Sequence, residues 1–485
     1  MSDKMQTPPA PGPRPLVLDV DGTLLRTDLL FEGLWAGLAK DPRATLMALR
    51  HLGDRAVLKA EIARIAGLRL ELMPLNPAVA QLIEEARAEG REVILASASD
   101  RAQVAALAAH LGLSERVFAS DGATNLKAGA KAAALVAAFG EKGFDYAGDS
   151  AADRAVWPHA HTAYVVGDGR AAAAQAATGQ PVAELEGGWA ARGLLRALRP
   201  HQWVKNVLLL LPMIASHRLD LATLWPVLLG IVAFSAAASS IYIVNDLLDL
   251  EADRRHPTKF KRPFASGQVP IPVGMAAFGV LAALALGLGA ALNAGFFGVV
   301  LLYMLSSLAY SLRLKRMRWV DITMLATLYT LRVVAGAAAG QMDVSIYMLI
   351  FIFPVFIALG CVKRLTELTL AKGDERLPGR GYGRADRGDL LNVAGIGVAG
   401  ALVIFFLYSV SDQGRMLYPD SWLLWLAMVP MAWWLVRMVA LGWFGKQDYD
   451  PIVFALRDKL GLGILMLTLS LMFWAAGLWA QWFGG

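Results

Sequence analysis

From Val204 to the C-terminus the chain returns repeatedly to apolar runs long enough to cross a bilayer. This restricts the fold more than any other feature, because each helical crossing of a hydrocarbon core needs about 20 predominantly apolar residues. Nine candidate spans lie near 204–217, 223–246, 270–292, 295–312, 319–341, 344–363, 391–411, 421–443 and 458–483. The first is short, and only the turn Asn293-Ala294-Gly295 separates the third from the fourth. The expectation is an all-α polytopic bundle of nine transmembrane helices over 204–485.

Charge orients that bundle. Loops 247–269, 313–318, 362–390 and 437–459 carry five, four, seven and four Lys/Arg, whereas the opposite loops carry Arg218 and Arg415. Cytoplasmic loops collect Lys and Arg. The sequence therefore predicts a bacterial-type inner-membrane protein with its charged loops and N-terminal domain in the cytoplasm and its C-terminus on the other side. The 485 residues are 56% hydrophobic and 18% charged, with a net charge of +6. That excess suits an acidic partner, and in so apolar a chain it points to membrane lipid or a phosphorylated substrate rather than nucleic acid. The single cysteine, Cys361, excludes an internal disulfide framework and a Cys-cluster metal site.

The N-terminal third is different. Residues 1–14 form a Pro-rich tail with no apolar core of a secretory signal. From 15 to about 170, short apolar runs such as Leu16–Val20 and Val93–Ala96 alternate with Ala-rich helical stretches, the pattern of a soluble α/β domain. The segment 171–203 reads as a linker. Within it Arg192, Arg196 and Arg199 share one helical face, so an interfacial amphipathic helix is expected.

Three strand ends in the α/β domain carry polar clusters. The first runs into Asp19-Val20-Asp21-Gly22-Thr23, the second into Ser97-Ala98-Ser99, and the third into Gly148-Asp149-Ser150 with Asp153 beyond. Lys131 lies between, with Lys127 close by. Two carboxylates at i and i+2 after a buried strand occupy the carboxyl edge of a sheet, where α/β folds place ligands. This ordered set resembles the haloacid dehalogenase (HAD) superfamily of phosphatases and implies a Rossmann-like domain with a helical cap at about 25–92. The resemblance implies Asp19 as nucleophile, Asp21 as acid and then base, and Ser97 on the phosphoryl oxygens. It implies Lys131 as the neutralising cation, with Lys127 as rival. It also implies a Mg2+ held by Asp19, the Asp21 carbonyl and Asp149, supported by Asp153.

The second span ends in Asn245-Asp246-Leu247-Leu248-Asp249-Leu250-Glu251-Ala252-Asp253. Asp246, Asp249 and Asp253 fall at i, i+3 and i+7, which places three carboxylates on one helical face with Asn245 beside them. Three hard oxygen ligands without His or Cys suit Mg2+ bridging a diphosphate. The following loop, Arg254 to Pro263, offers cations for phosphate oxygens. This motif on the second of nine spans resembles the UbiA superfamily of intramembrane prenyltransferases. Aromatic prenyltransferases of that superfamily carry a second Asp-rich box after the sixth span. Here the matching stretch is Lys363-Arg364-Leu365-Thr366-Glu367.

With Arg199-Pro200-His201-Gln202-Trp203-Val204-Lys205-Asn206 and Tyr310-Ser311-Leu312-Arg313-Leu314-Lys315, the resemblance narrows to the decaprenyl-phosphate phosphoribosyltransferase branch. That branch moves 5-phosphoribose from phosphoribosyl diphosphate to a polyprenyl phosphate. A lipid-phosphate acceptor needs fixed cations, and Lys205, Lys363 and Arg364 are the candidates. Arg262, Tyr310 and Lys315 are candidates to clamp the donor phosphates. Arg332, inside the fifth span, is a functional candidate because charge within a membrane is costly; a pairing with Asp321 is the competing role. The fused phosphatase is expected to remove the 5-phosphate of the lipid product. The alternative is prenyl transfer from a prenyl diphosphate to an aromatic or other small acceptor, with the HAD domain separate or regulatory.

Overall fold

A computed structural model describes residues 13–167, 171–179, 182–343, 345–371, 373, 376, 380–447 and 450–484. Most of the Pro-rich tail lies outside the described residues. The chain divides into two compact units, one of Met1–Leu198 with Ile243–Ala277 and one of Arg199–Tyr242 with Phe278–Gly485.

The first unit contains a six-stranded parallel sheet in the order β3-β2-β1-β4-β5-β6. The strands are β1 Leu16–Leu18, β2 Val93–Asp100, β3 Val117–Ser120, β4 Asp145–Gly148, β5 Ala163–Val166 and β6 Ala183–Leu185. A parallel sheet is covered on both faces, so its central strands are apolar throughout. Successive β1 residues show this: Leu16 and Leu18 join one core with Val79, Leu82 and Leu107, while Val17 joins the other with Ala132 and Leu135.

The insert expected as a cap at 25–92 divides. Helices Leu29–Lys40 and Arg55–Ala66 build a small cluster around Ala48, Leu58 and Ile62. Helix Pro77–Ala88 instead buries Val79, Leu82, Ile83 and Ala86 in the main core. The domain also runs past 170, because β6 pairs in register with β5. Of the expected amphipathic face, Arg192 and Arg196 lie on the helix Ala191–Ala197, but Arg199 adopts φ 53°, so the three-arginine face is broken before its last member.

Among the described residues, seven helices are long and apolar enough to cross a membrane: Leu221–Leu248, Ile271–Leu292, Ala294–Leu312, Val320–Ala339, Ile346–Leu370, Arg384–Val410 and Ser421–Trp443. The remaining two expected spans are interrupted. Over 204–217 the chain forms a 3-10 stretch, Pro200–Leu210, and a short helix, Leu211–Ala215, with Pro212 unable to donate a backbone hydrogen bond. Over 458–483 the left-handed Gly477 separates Lys459–Ala475 from Leu478–Phe483.

Burial ranks these helices. Leu221–Leu248 and Val320–Ala339 are mostly enclosed, whereas Ile271–Leu292 is largely exposed. Outer helices present side chains such as Val280, Leu302 and Ile396 to the surroundings, as lipid contact requires. The 3-10 stretch lies against Val320–Ala339 at Gly336, where an added Cβ would stand 1.9 Å from the Leu209 carbonyl oxygen. Gly336→Ala is therefore expected to force these backbones apart and cost about 1–3 kcal/mol. A fall in the unfolding midpoint of the detergent-solubilised protein checks this.

Candidate functional site

The order of the sheet places the first site. β1 and β4 are neighbours although not consecutive, and ligand crevices open beyond the carboxyl ends of strands at such a switch. Asp19 follows β1, Asp149 follows β4, and Ser97 lies on β2. Gly22 allows the turn after β1: its φ is 81°, and a Cβ would fall 2.5 Å from the Asp149 Oδ2.

Lys131 Nζ donates to Asp19 Oδ1 at 2.7 Å, to Tyr146 Oη at 2.9 Å and to Asp153 Oδ1 at 3.4 Å. It is aimed from the start of helix Gly129–Phe139, behind a non-glycine residue of positive φ, Ala128. Lys127, the rival from sequence, is exposed. Tyr146 Oη donates to Asp153 Oδ1 at 2.6 Å. Burial and the carboxylates of Asp153 and Asp21 push Asp19 well above the ordinary range, although Lys131 pulls the other way.

Oxygens of Asp19, Asp149 and Asp153 come within 4.8 Å of one another. Three carboxylates around one buried lysine hold more negative than positive charge, and an all-oxygen donor set of this size fits Mg2+. Asp21 points elsewhere. Its carboxylate accepts from Leu29 N at 2.8 Å, Ser97 Oγ at 3.1 Å and Ser99 Oγ at 2.5 Å. Serine hydroxyls can donate or accept, so this setting accommodates Asp21 with or without a proton.

Sequence reasoning missed three neighbours, Tyr146, Lys59 and Asp28, and gave Ser99 no role of its own. Tyr146 looked like one more residue of an apolar strand, and Ser99 sits two residues beyond Ser97. Lys59, from the cap, donates to Ala98 O at 2.5 Å and Asn125 Oδ1 at 3.2 Å. Asp28 caps helix Leu29–Lys40, with its carboxyl pushed from 3.8 to about 7 by burial and then by the charge of Asp21.

In the aspartate-rich segment the helix Leu221–Leu248 stops and Asp249 takes a turn conformation, so the three aspartates do not share one uninterrupted helix. Arg262 Nη1 bridges Asp246 Oδ1 at 3.0 Å and Asp253 Oδ2 at 2.6 Å. Burial raises Asp253 to about 6, against the pull of Arg262. Asn245 and Asp249 are part-buried. Arg254, expected in the following loop, lies in the last turn of the helix Leu250–Arg255 and is turned to Glu32 instead of standing as an open phosphate ligand.

The cations predicted from sequence in the second unit fall mainly in two groups. Arg364 is fully buried and saturated: it grips Asp321 through Nε at 2.5 Å and Nη2 at 2.8 Å, and Glu367 through Nη1 at 2.5 Å. Tyr310 and Arg380 complete this network by hydrogen bonds to Asp321 at 2.9 and 3.3 Å. Two arginines thus meet two carboxylates. Asp321 therefore pairs with Arg364, not with Arg332 as the competing role from sequence had it. Lys315 is buried beside this group, and its carbonyl accepts from Arg380.

The other group carries excess charge. Lys205 hydrogen-bonds Asp450, and Lys363 Nζ lies 3.7 Å from the same carboxylate. Arg332 bonds Asn206 Oδ1 at 3.1 Å, Tyr303 Oη at 3.0 Å and the Leu328 carbonyl at 2.7 Å, with no carboxylate hydrogen-bonded to it among the described residues. Lys205 and Arg332 both lie over the Tyr329 ring, whose hydroxyl donates to Asp450 at 3.3 Å. Burial would raise Asp450, but Lys205 and Lys363 hold it well below the usual carboxylate range. Asp450 was missed because Asp450-Pro451 reads as an ordinary helix start.

The UbiA prenyltransferase family model matches residues 207–457, and that of the haloacid dehalogenase-like hydrolases matches 16–157. This chain belongs to the UbiA prenyltransferase family. It carries a HAD-like domain ahead of the family's membrane domain. A protein of Sinorhizobium fredii, y4nM, is 34% identical over 92% of this chain and 88% of its own length. Nodulation protein NoeC of Azorhizobium caulinodans is 34% identical over 57% of this chain and 91% of its own length. The decaprenyl-phosphate phosphoribosyltransferase of Mycobacterium tuberculosis is 31% identical over 55% of this chain and 88% of its own length.

Asp28 supplies a test of the HAD-site electrostatics. A carboxyl whose folded pKa lies above its unfolded value favours the folded state at low pH, and that contribution is lost as pH rises through the folded value. Asn caps a helix as well as Asp. Asp28→Asn is therefore expected to gain stability relative to the parent as pH rises from about 4 to 8, with no gain at the acid end. Unfolding midpoints of both proteins across that range check it.

Proposed function

We propose that this protein is a polyprenyl-phosphate phosphoribosyltransferase whose HAD domain removes the 5-phosphate from the lipid product, with its charged loops facing the cytoplasm. The observation that carries the reading is the pairing of buried Lys205 and half-buried Lys363 with one carboxylate, Asp450, while buried Arg332 lies over the same Tyr329 ring as Lys205. Excess positive charge at low dielectric stabilises a bound anion. A lipid phosphate meets that need at one end and an apolar helical surround at the other. The mycobacterial relative's name supplies independent support for this substrate pair. A prenyl acceptor that is aromatic would place no comparable demand for cations.

On the donor side, Arg262 already rests between Asp246 and Asp253, which marks the place as one that stabilises a cation. With Asp249, these residues would hold Mg2+ on the donor diphosphate, where it supplies charge neutralisation for the departing group. Lys205, Lys363 and Arg332 orient the acceptor phosphate so that its oxygen attacks the anomeric carbon as diphosphate leaves. Asn245, beside Asp246, is a candidate to complete the donor site. Arg364, Tyr310 and Glu367 act by holding Asp321 and the helix ends in place.

In the HAD domain Asp19 attacks the 5-phosphate and Asp21 gives its proton to the departing ribose oxygen. Asp21 then takes a proton from the water that releases phosphate from Asp19. Lys131 holds Asp19 in line, and Ser97 and Ser99 hold Asp21. Mg2+ carried by Asp19, Asp149 and Asp153 would offset charge on the transferring group.

Phosphoribosyl diphosphate labelled in the ribose ring tests both halves. Asp246→Ala is expected to lower label in extracted polyprenyl lipid by on the order of a hundredfold. Asp19→Asn is expected to keep transfer and leave the 5-phosphate on the lipid, read as an added charge on anion exchange. Lys363→Met should raise KM for polyprenyl phosphate by about tenfold or more. Label that never enters lipid, with incorporation from a prenyl diphosphate instead, would replace this reading by prenyl transfer.

A further inference from the structure

Helix Leu29–Lys40 of the cap carries a glutamate in its first turn, Glu32, that is 2% exposed. An isolated carboxylate at that depth is costly unless paired. Its partner lies 222 positions along the chain, in the segment behind the aspartate cluster. Arg254 Nη2 donates to Glu32 Oε1 at 2.5 Å and Nη1 to Oε2 at 3.1 Å, a two-pronged contact. Thr27 Oγ1 donates to the same carboxylate at 2.6 Å. The third guanidinium nitrogen, Nε, donates to the Ala265 carbonyl at 2.9 Å.

All of these groups fall within the first compact unit. A second observation is independent of the ion pair. Gly267 has φ 69°, and a Cβ there would stand 2.5 Å from the Arg26 Cβ, so the two backbones are fitted closely at this point too.

Arg254 directly follows Asp253, whose carboxylate meets Asp246 across Arg262. A neighbouring guanidinium left to itself would compete for those carboxylates. Glu32 draws it away and fixes the chain on which Asp253 stands. The same helical turn donates Leu29 N to Asp21.

We propose that Glu32 of the HAD domain is a positioning residue for the transferase reaction, acting through Arg254 to keep the aspartate-rich segment ordered and its carboxylates open to the metal-bearing donor. This rests on the reading of Asp246 and Asp253 as donor-side ligands.

The test uses the full chain in detergent with polyprenyl phosphate. Glu32→Gln is expected to raise KM for phosphoribosyl diphosphate about tenfold while kcat changes less than about threefold, since it strands a buried cation beside the site. Hydrolysis of p-nitrophenyl phosphate by the HAD domain should stay within about threefold, and Glu32→Asp, which keeps the charge, should restore most of the KM. Tryptic cleavage after the normally buried Arg254 should quicken at least about fivefold in Glu32→Gln.

An unchanged KM with unchanged cleavage overturns the proposal. So does a parallel loss of both activities, which would make Glu32 a folding residue of its own domain. The tryptic comparison needs no substrate. If the parent protein fails to transfer ribose, the functional reading falls, while the cleavage rates still decide whether Glu32 orders the segment.

Discussion

Buried charge has to be balanced by something, and the organisation of this protein follows from where the balance is struck and where it is left open. In the HAD-like domain, Asp19, Asp149 and Asp153 gather around Lys131. In the membrane unit, Lys205 and Lys363 gather around Asp450, with Arg332 over the same Tyr329 ring as Lys205. Arg364 and Arg380, by contrast, meet Asp321 and Glu367 with charges matched. Desolvation penalises each unpaired charge by several kcal/mol. The first two groups are therefore suited to a cation and an anion respectively, while the third is suited to holding helices in place.

The scaffold makes such charge tolerable. A parallel sheet apolar on both faces puts its polar residues at the strand ends, and the β1/β4 boundary opens a crevice there. In the membrane unit, the helix Val320–Ala339, which carries Arg332, is among the two most enclosed. Close backbone approach at Gly336 allows the irregular stretch Pro200–Leu210 to lie against it and deliver Lys205 and Asn206. A regular helix with a bulky residue at position 336 could not present both side chains so near Arg332. Irregular backbone at membrane depth is acceptable where protein covers it.

The ion pair of Glu32 and Arg254 belongs to the same economy of charge. Each group alone would be a liability, and together they tie the cap helix to the chain beside Asp253. Sequence separation hides such a pair: from sequence Arg254 reads as a cation for phosphate, and nothing in the sequence marks Glu32 as its partner.

Local pattern alone determined much of this protein. Apolar run length dictated a helical membrane domain, alternation of short strands and helices dictated the α/β domain, and the aspartates at 19, 21, 246, 249 and 253 were visible because acidic residues at a strand or span end are hard to place otherwise. Only tertiary structure decided which charges neutralise which. Lys131 rather than Lys127 reaches Asp19, Arg364 rather than Arg332 takes Asp321, and Asp450 joins Lys205 from 245 positions away. The reason is physical: periodicity reports which face a residue occupies on its own element, whereas electrostatic compensation depends on distances between elements that packing alone sets.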